Sequence, residues 1–392
     1  MTKLKKLYNE ICMCSVFGGI LEKPLFKALD RLFEVDSETA RIKAYADFAR
    51  SVYEGGGNLT DLVTRLILED ENVYVKSKAH ERALDPTVED AVSHELSVLE
   101  RFAALTPNDF ASELGCGYVS PFSSYVRSIS SEYRERLKDI SRHGYGIFAS
   151  YPMFRLAENG ELLPIISSDR TKLDGFVGYD EERRAVVDNT LAFIDGRPAA
   201  NTLLCGDAGT GKSSTVKAVV NAFFDKGLRL VELRKDQLSS LPYVMGRISE
   251  NPLKFIIFID DLSFNQNDDN FSMLKAALEG SASAKADNAV IYATSNRRHI
   301  IKESFGDRDG DDVHRNDTMQ ETLSLSERFG LVVLFSKPNK SLYLDIVHEL
   351  AERAELSVPL AELDIKAEAF ALRRGSRSPR CAEQFIKSIL CK

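Results

Sequence analysis

The stretch TLLCGDAGTGKSSTVKAVVNAFF, residues 202–224, decides the fold. A short apolar run is followed by a glycine-rich turn and then by a stretch with helical spacing, so the reading is strand, loop, helix. Within it Gly206 to Ser213 spells glycine, four residues, then Gly-Lys-Ser, the P-loop pattern. A polyphosphate needs many donors at short range. Gly206, Gly209 and Gly211 let the backbone wrap closely, so that amides and the helix N-terminus face an anion. Lys212 is expected to reach the β- and γ-phosphates, and the Ser213 hydroxyl to bind Mg²⁺. The candidate nucleotide-binding set is therefore Gly206, Asp207, Ala208, Gly209, Thr210, Gly211, Lys212, Ser213 and Ser214.

Around this loop, apolar runs alternate with helical stretches. NTLLC (201–205), LRLVEL (228–233), KFIIFID (254–260), AVIYATS (289–295) and LVVLF (331–335) are five candidate strands. Continuous apolar runs suit strands buried on both faces, which predicts an α/β fold with a parallel sheet covered by helices. FIIFIDD ends one strand with Asp260 and Asp261, at the carboxyl edge where the phosphate loop also lies. Asp260 fits the role of holding Mg²⁺, and Asp261 is the candidate to polarise the attacking water. YATSN (292–296) ends the next strand, so Asn296 can orient that water or touch the γ-phosphate.

LSLSERFG (323–330) places Arg328 just before the LVVLF strand. In this architecture the position is remote from the chain's own phosphates, so its guanidinium serves catalysis only by entering a neighbour's site, where such a finger is worth roughly 10³–10⁵ in rate. A pair with Glu327 or another surface acid is the alternative.

Upstream, from about residue 3 to 140, apolar residues recur at helical spacing, as in PLFKALDRLFEV (24–35) and AYADFARSVYEGGGNLTDLVTRLILEDE (44–71). No residue there declares a chemistry, and the region is read as a packing or partner-binding module. HGYGIFASYPMFRLAENGELLPI (143–165) alternates on either side of Asn159-Gly160, which predicts a hairpin. The C-terminal part returns to helices, including YLDIVHELAERAEL (343–356) and PRCAEQFIKSIL (379–390). The expected division is a helical domain over 1–140, an α/β nucleotide-binding core with its preceding hairpin over 141–337, and helices over 338–392.

Composition agrees with a globular chain. At 392 residues, 44% hydrophobic and 28% charged, it is long enough for two or three compact units. A net charge of −8 argues against a surface devoted to nucleic acid, and Arg373, Arg374, Arg377, Arg380 and Lys387 form the best local basic cluster. Six scattered cysteines lack the ligand count of a zinc site. The start MTKLKK before ICMCSVFGGIL imitates a signal peptide, but Glu10 interrupts it, and a cytoplasmic protein is expected. No apolar run approaches the ~20 residues of a membrane helix.

Taken in order, GDAGTGKS, FIIFIDD, ATSN, LSLSERFG and GSRSPR resemble the AAA+ ATPases, with similarity to replication initiators and helicase loaders. The nearer likeness is to a bacterial AAA+ family known mainly as a domain of unknown function, whose motifs DGFVGYDEE and NTLAFIDGRP also resemble. That resemblance implies a five-stranded parallel core, a small C-terminal helical lid, ATP as ligand and Mg²⁺ as cofactor. Arg328 corresponds to the trans-acting arginine, and Arg380, with Arg377 as alternative, to a second sensor on the lid. Phe176, Val177 and Gly178 would lie near the adenine. Many of the relatives carry glutamate where this chain has Asp261, one methylene shorter.

Other nucleotide-binding classes fit less well. NKSL (339–342) lacks the aspartate of a guanine-selective site, and no LSGGQ-like stretch is present. The expected function is an ATPase that hydrolyses ATP at the interfaces of a homo-oligomer to remodel or load a macromolecule, protein or nucleic acid. A nucleotide-gated scaffold with little hydrolysis is the alternative. Arg297 and Arg298 read as a solvated surface in preference to a nucleic-acid contact, and the polar, acidic stretch 302–321 reads as a mobile loop.

Overall fold

The computed structural model describes residues 2–115, 118–166, 171–262, 269–278, 286–296 and 328–391. These divide into two compact units, Met1–Ser150 with Asn251–Leu253, and Tyr151–Glu250 with Lys254–Lys392.

The second unit is an α/β domain around one seven-stranded sheet. Its strands are β1 (Met153–Leu156), β2 (Leu162–Pro164), β3 (Thr202–Gly206), β4 (Leu228–Leu233), β5 (Lys254–Ile259), β6 (Ala289–Ser295) and β7 (Leu331–Phe335). Their order is β2-β1-β4-β5-β6-β3-β7. All five strands expected from the apolar runs are present and parallel. The sheet is larger than the expected five because the Asn159-Gly160 hairpin does not stand apart: β1 pairs parallel with β4, and β2 closes that edge antiparallel to β1. Met153, Phe154 and Leu156 are buried, which is the apolar area the hairpin gains by joining the sheet.

β3 is buried along its whole length, as strands covered on both faces are. LVVLF differs from the expectation of burial on both faces. It lies at the sheet's other edge, and its burial alternates, with Val333 and Phe335 inside and Val332 and Leu334 exposed. Inside the sheet, the Tyr292 hydroxyl is a polar tip among apolar neighbours. It meets Thr190 Oγ1 at 2.8 Å and accepts from Asn189 Nδ2 at 3.0 Å, so its burial leaves no orphan.

Four helices follow in the core: α1 (Asp180–Ile194), α2 (Lys212–Phe223), α3 (Leu241–Ser249) and α4 (Asp269–Leu278). Three more, α5 (Lys340–Arg353), α6 (Leu360–Arg374) and α7 (Pro379–Leu390), share a separate core that includes Tyr343, Val347, Ala367 and Phe385. Asn339 of the NKSL stretch caps α5, its side chain accepting from Leu342 N at 2.9 Å. Ser378 caps α7 the same way, with Pro379 in the first turn.

The first unit is helical. Helices such as Pro24–Glu34, Glu38–Glu54 and Pro86–Ala103 close on Phe17, Phe26, Phe48, Phe102 and Phe110. The Gly55–Gly57 break separates Glu38–Glu54 from Leu59–Leu68, where the Asn58 side chain accepts from Asp61 N at 3.1 Å. Among the described residues no helix is long and apolar enough to cross a membrane.

Candidate functional site

The register of the sheet assembles the site. Thr202 lies opposite Tyr292 and Leu331, Gly206 lies opposite Phe335, and Ile259 lies opposite Ala293. The carboxyl ends of β3, β5 and β6 therefore face one crevice, where ligands of open parallel sheets bind.

Gly206 has φ 132°, and a Cβ there would come within 2.0 Å of the Phe335 carbonyl oxygen. Only glycine lets the loop leave β3 this close to β7. Gly211, with φ 92°, forms the N-terminal cap of α2, so the first amides of that helix open toward the loop. Asp207 fastens the loop from its other side, accepting from Lys337 N at 2.9 Å.

Lys212 and Ser213 begin α2. The buried Lys212 ammonium donates to the carbonyls of Gly206 at 3.1 Å and Asp207 at 2.7 Å, and to Asn296 Oδ1 at 3.1 Å. Burial pushes this amine below the usual lysine range, against the pull of Asp207, Asp260 and Asp261. A negative ligand at the loop would favour the charged form.

Ser213 Oγ donates to Asp260 Oδ1 at 2.6 Å, and Thr294 Oγ1 donates to the same oxygen at 2.5 Å. Asp261 N donates in turn to Thr294 Oγ1 at 2.9 Å. The residue sits at φ 53°, a left-handed conformation that turns the chain sharply at the end of β5. Asn296 Nδ2 donates to Asp261 Oδ1 at 2.8 Å. Asn296 thus bridges the lysine and the second aspartate. Thr294 was not among the candidates from sequence, although it stands inside YATSN, and its signal was a hydroxyl two residues before Asn296. The donor set at Ser213 and Asp260 is hard oxygen throughout, with too few protein ligands to enclose an ion. That fits Mg²⁺ shared with phosphates and water.

These groups line a cavity of about 190 Å³ formed by residues 208–214 with Asp260, Asp261, Thr294, Asn296 and Arg380. Arg380 arrives from the first turn of α7. Its backbone N donates to Gly209 O at 3.3 Å, and Gly209 has room for no Cβ beyond contact with Ser378 and Arg380. Arg377 is engaged elsewhere, by two hydrogen bonds of 3.0 Å to the Glu368 carboxylate, which hold the guanidinium above its ordinary range. Of these two arginines, Arg380 is the one in the cavity. Of the basic cluster, Arg380 lines the cavity and Arg377 is held in an ion pair.

A second cavity, of about 220 Å³, continues from Gly209–Gly211 and Ser214 to Phe176, Val177, Arg183, Ile346, Leu350, Pro379, Arg380 and Glu383. Phe176 and Val177, which the resemblance places near an adenine, line this cavity. Gly178 does not line it. At φ 69° its missing Cβ makes room for Leu342 Cδ1, which a side chain would approach to 2.5 Å. The Arg353 guanidinium at the end of α5 donates to Gly175 O at 2.5 Å and Asp174 O at 3.2 Å, tying the segment before Phe176 to the helices after residue 339. Arg183, Arg353 and the α5 residues were missed from sequence. They come from separate segments, and no local pattern joins them.

Arg328 lies at the other end of the sheet. It stands three residues before Leu331, which pairs with Thr202 at the start of β3, while Gly206 pairs with Phe335. Four residues of strand, about 13 Å at ~3.3 Å each, separate that level from the loop. Arg328 is half-buried and is not part of either cavity. Ser326, Glu327, Arg297, Arg298 and 302–321 lie outside the described residues.

Residues 149–392 match the model of a family described as a protein of unknown function, DUF815. The chain belongs to this family. Its second unit carries the P-loop after β3, the acidic end of β5 beside it and a bundle of three C-terminal helices. The chain matches no curated protein. Among solved structures, the Thermotoga maritima RuvB Holliday junction branch migration motor is 13% identical at a TM-score of 0.38, covering 55% of this chain and 63% of that one. A variant of that motor with a lysine replaced by arginine is 15% identical at 0.37, with the same coverage. The DUF815 chain thus spans under two thirds of the length of these structures.

Proposed function

We propose that this DUF815 chain is a Mg²⁺-dependent ATPase whose sites are completed between copies of itself, and that turnover remodels or loads a macromolecular partner. One observation carries the reading. A single cavity gathers a buried P-loop lysine, a serine–aspartate pair of hard oxygens, a second aspartate and the asparagine bridging it to the lysine.

In this reading the amides of 209–214 and the α2 N-terminus hold the polyphosphate, and Lys212 leaves the loop carbonyls for phosphate oxygens. Ser213 and Asp260 hold Mg²⁺, which supplies charge neutralisation at the β- and γ-phosphates when bound. Asp261 accepts the proton of the attacking water, Asn296 orients that water, and Arg380 touches phosphate from the lid. Arg328, on the far end of its own sheet, completes a neighbour's site.

The domain division 1–140, 141–337 and 338–392 belongs to this proposal. The helical region 1–140 selects the partner, a protein or a nucleic acid, and the assembly works in the cytoplasm.

A second reading is a nucleotide-gated scaffold. It is favoured by the short Asp261 side chain, which already gives one oxygen to Asn296. ATP turnover with and without Mg²⁺, with Lys212→Ala as the blank, separates the two. The ATPase predicts Mg²⁺-dependent turnover lost in Lys212→Ala. Tight ATP binding with turnover equal to the blank contradicts it.

A further inference from the structure

A buried guanidinium ordinarily has its N–H groups paired, because an unpaired polar group away from water loses its hydration for nothing. Arg183, near the start of α1, is 7% exposed, and its Nη2 has no hydrogen-bond partner among the described residues. Its guanidinium lies over the Phe176 ring, 4.7 Å from the centroid, a cation–π contact that holds the group beside the cavity. Burial depresses its pKa, opposed by Asp180 and Glu182.

Arg183 lines the second cavity, with Phe176, Val177, Ile346 and Leu350, and is absent from the lining of the phosphate cavity. Phosphate is already served there by the loop amides, Lys212 and Arg380. Phe176, Val177, Ile346 and Leu350 give this cavity an apolar side that suits a flat heterocycle, and a guanidinium can only donate.

We propose that Arg183 is a nucleoside-reading residue, whose free Nη2 amine donates to a ring nitrogen of the base or to a ribose oxygen of the bound nucleotide. This rests on the ATP reading above. The orphan donor is satisfied only when nucleotide is bound, so the arginine serves the ligand rather than the fold.

The test is equilibrium binding of ATP and of inorganic tripolyphosphate, each with Mg²⁺, to the wild type, Arg183→Met, Arg183→Lys and Lys212→Ala, with melting of each protein free of ligand. Loss of a charge-assisted hydrogen bond predicts that Arg183→Met binds ATP about 10- to 100-fold more weakly. Tripolyphosphate affinity is expected to be unchanged, and the ligand-free melting temperature equal or higher. Arg183→Lys keeps a cation over Phe176 without the second arm, should also lose ATP affinity, and carries the test if the methionine variant fails to fold. Unchanged ATP affinity, or equal losses for both ligands, overturns the assignment. So does a lowered ligand-free melting temperature with ATP affinity restored by lysine. Should Lys212→Ala leave both ligands bound as in wild type, the nucleotide reading itself fails, and the inference with it.

Discussion

Lys212, Ser213, Asp260, Asp261, Thr294 and Asn296, at the phosphate end of the cleft, are joined to one another or to the loop by hydrogen bonds of 2.5 to 3.1 Å. Some distance along the same cleft, Arg183 holds a buried amine with no hydrogen-bond partner among the described residues, beside Phe176, Val177, Ile346 and Leu350. The first end is a hydrogen-bonded network of charged and polar groups. The second leaves its specificity to be completed by the ligand. In the proposed ATPase, groups that move charge are preorganised, while a group that only identifies the ligand can wait for it.

The comparison can be broken most severely at Arg328. Arg328→Ala is expected to bind ATP normally and to lose turnover by about 10³-fold or more. Mixing it with Lys212→Ala subunits, whose own sites are dead but whose arginines are intact, should restore part of the rate. Unchanged turnover would confine catalysis to the residues of one chain.

Asp261→Asn comes next. It should keep ATP affinity and lower turnover on the order of 10²- to 10⁴-fold, as measured by single-turnover hydrolysis. Normal hydrolysis would remove Asp261 from its role.

At the other end, Phe176→Ala should weaken ATP binding by about tenfold through lost apolar contact and leave tripolyphosphate binding as it was. Equal loss for both ligands would mean that the two ends are one unit. Arg353→Ala should have the smallest effect, a loss of ATP affinity below about tenfold, because its half-exposed hydrogen bonds only position the segment before Phe176.

The same contrast explains what the amino-acid sequence disclosed. The phosphate end is one continuous loop and the ends of two strands, and parallel pairing brings strand ends together wherever the apolar runs are found. GDAGTGKS, FIIFIDD and YATSN were therefore enough. Thr294 was overlooked only because a hydroxyl carries less signal than a carboxylate. The second cavity depends on how residues 175–183 meet 346–350 and 379–383, which is a matter of packing between elements far apart in the chain. Resemblance could point to Phe176 and Val177, but nothing near Arg183 in the sequence distinguishes it from the neighbouring surface arginine and acids.

The helical unit was legible in its elements and silent in its chemistry for a related reason. Buried Glu95 accepts hydrogen bonds from the amides of Ser15, Val16 and Phe17 at 2.9 to 3.2 Å, across about eighty residues of chain. Its charge holds a turn in place, and a structural carboxylate looks in sequence like any other acid on a helix. The hairpin was seen but not its place in the sheet, because alternation fixes a strand and not the neighbour it will choose.

The most direct measurement of the central claim is ATP turnover per subunit across a wide range of protein concentration, with Mg²⁺ present and Lys212→Ala as the blank. Turnover that rises steeply with concentration is the predicted result, since a site completed by a neighbour's Arg328 exists only in the assembly. A rate per subunit that is appreciable and independent of concentration down to conditions where the protein is monomeric would contradict it.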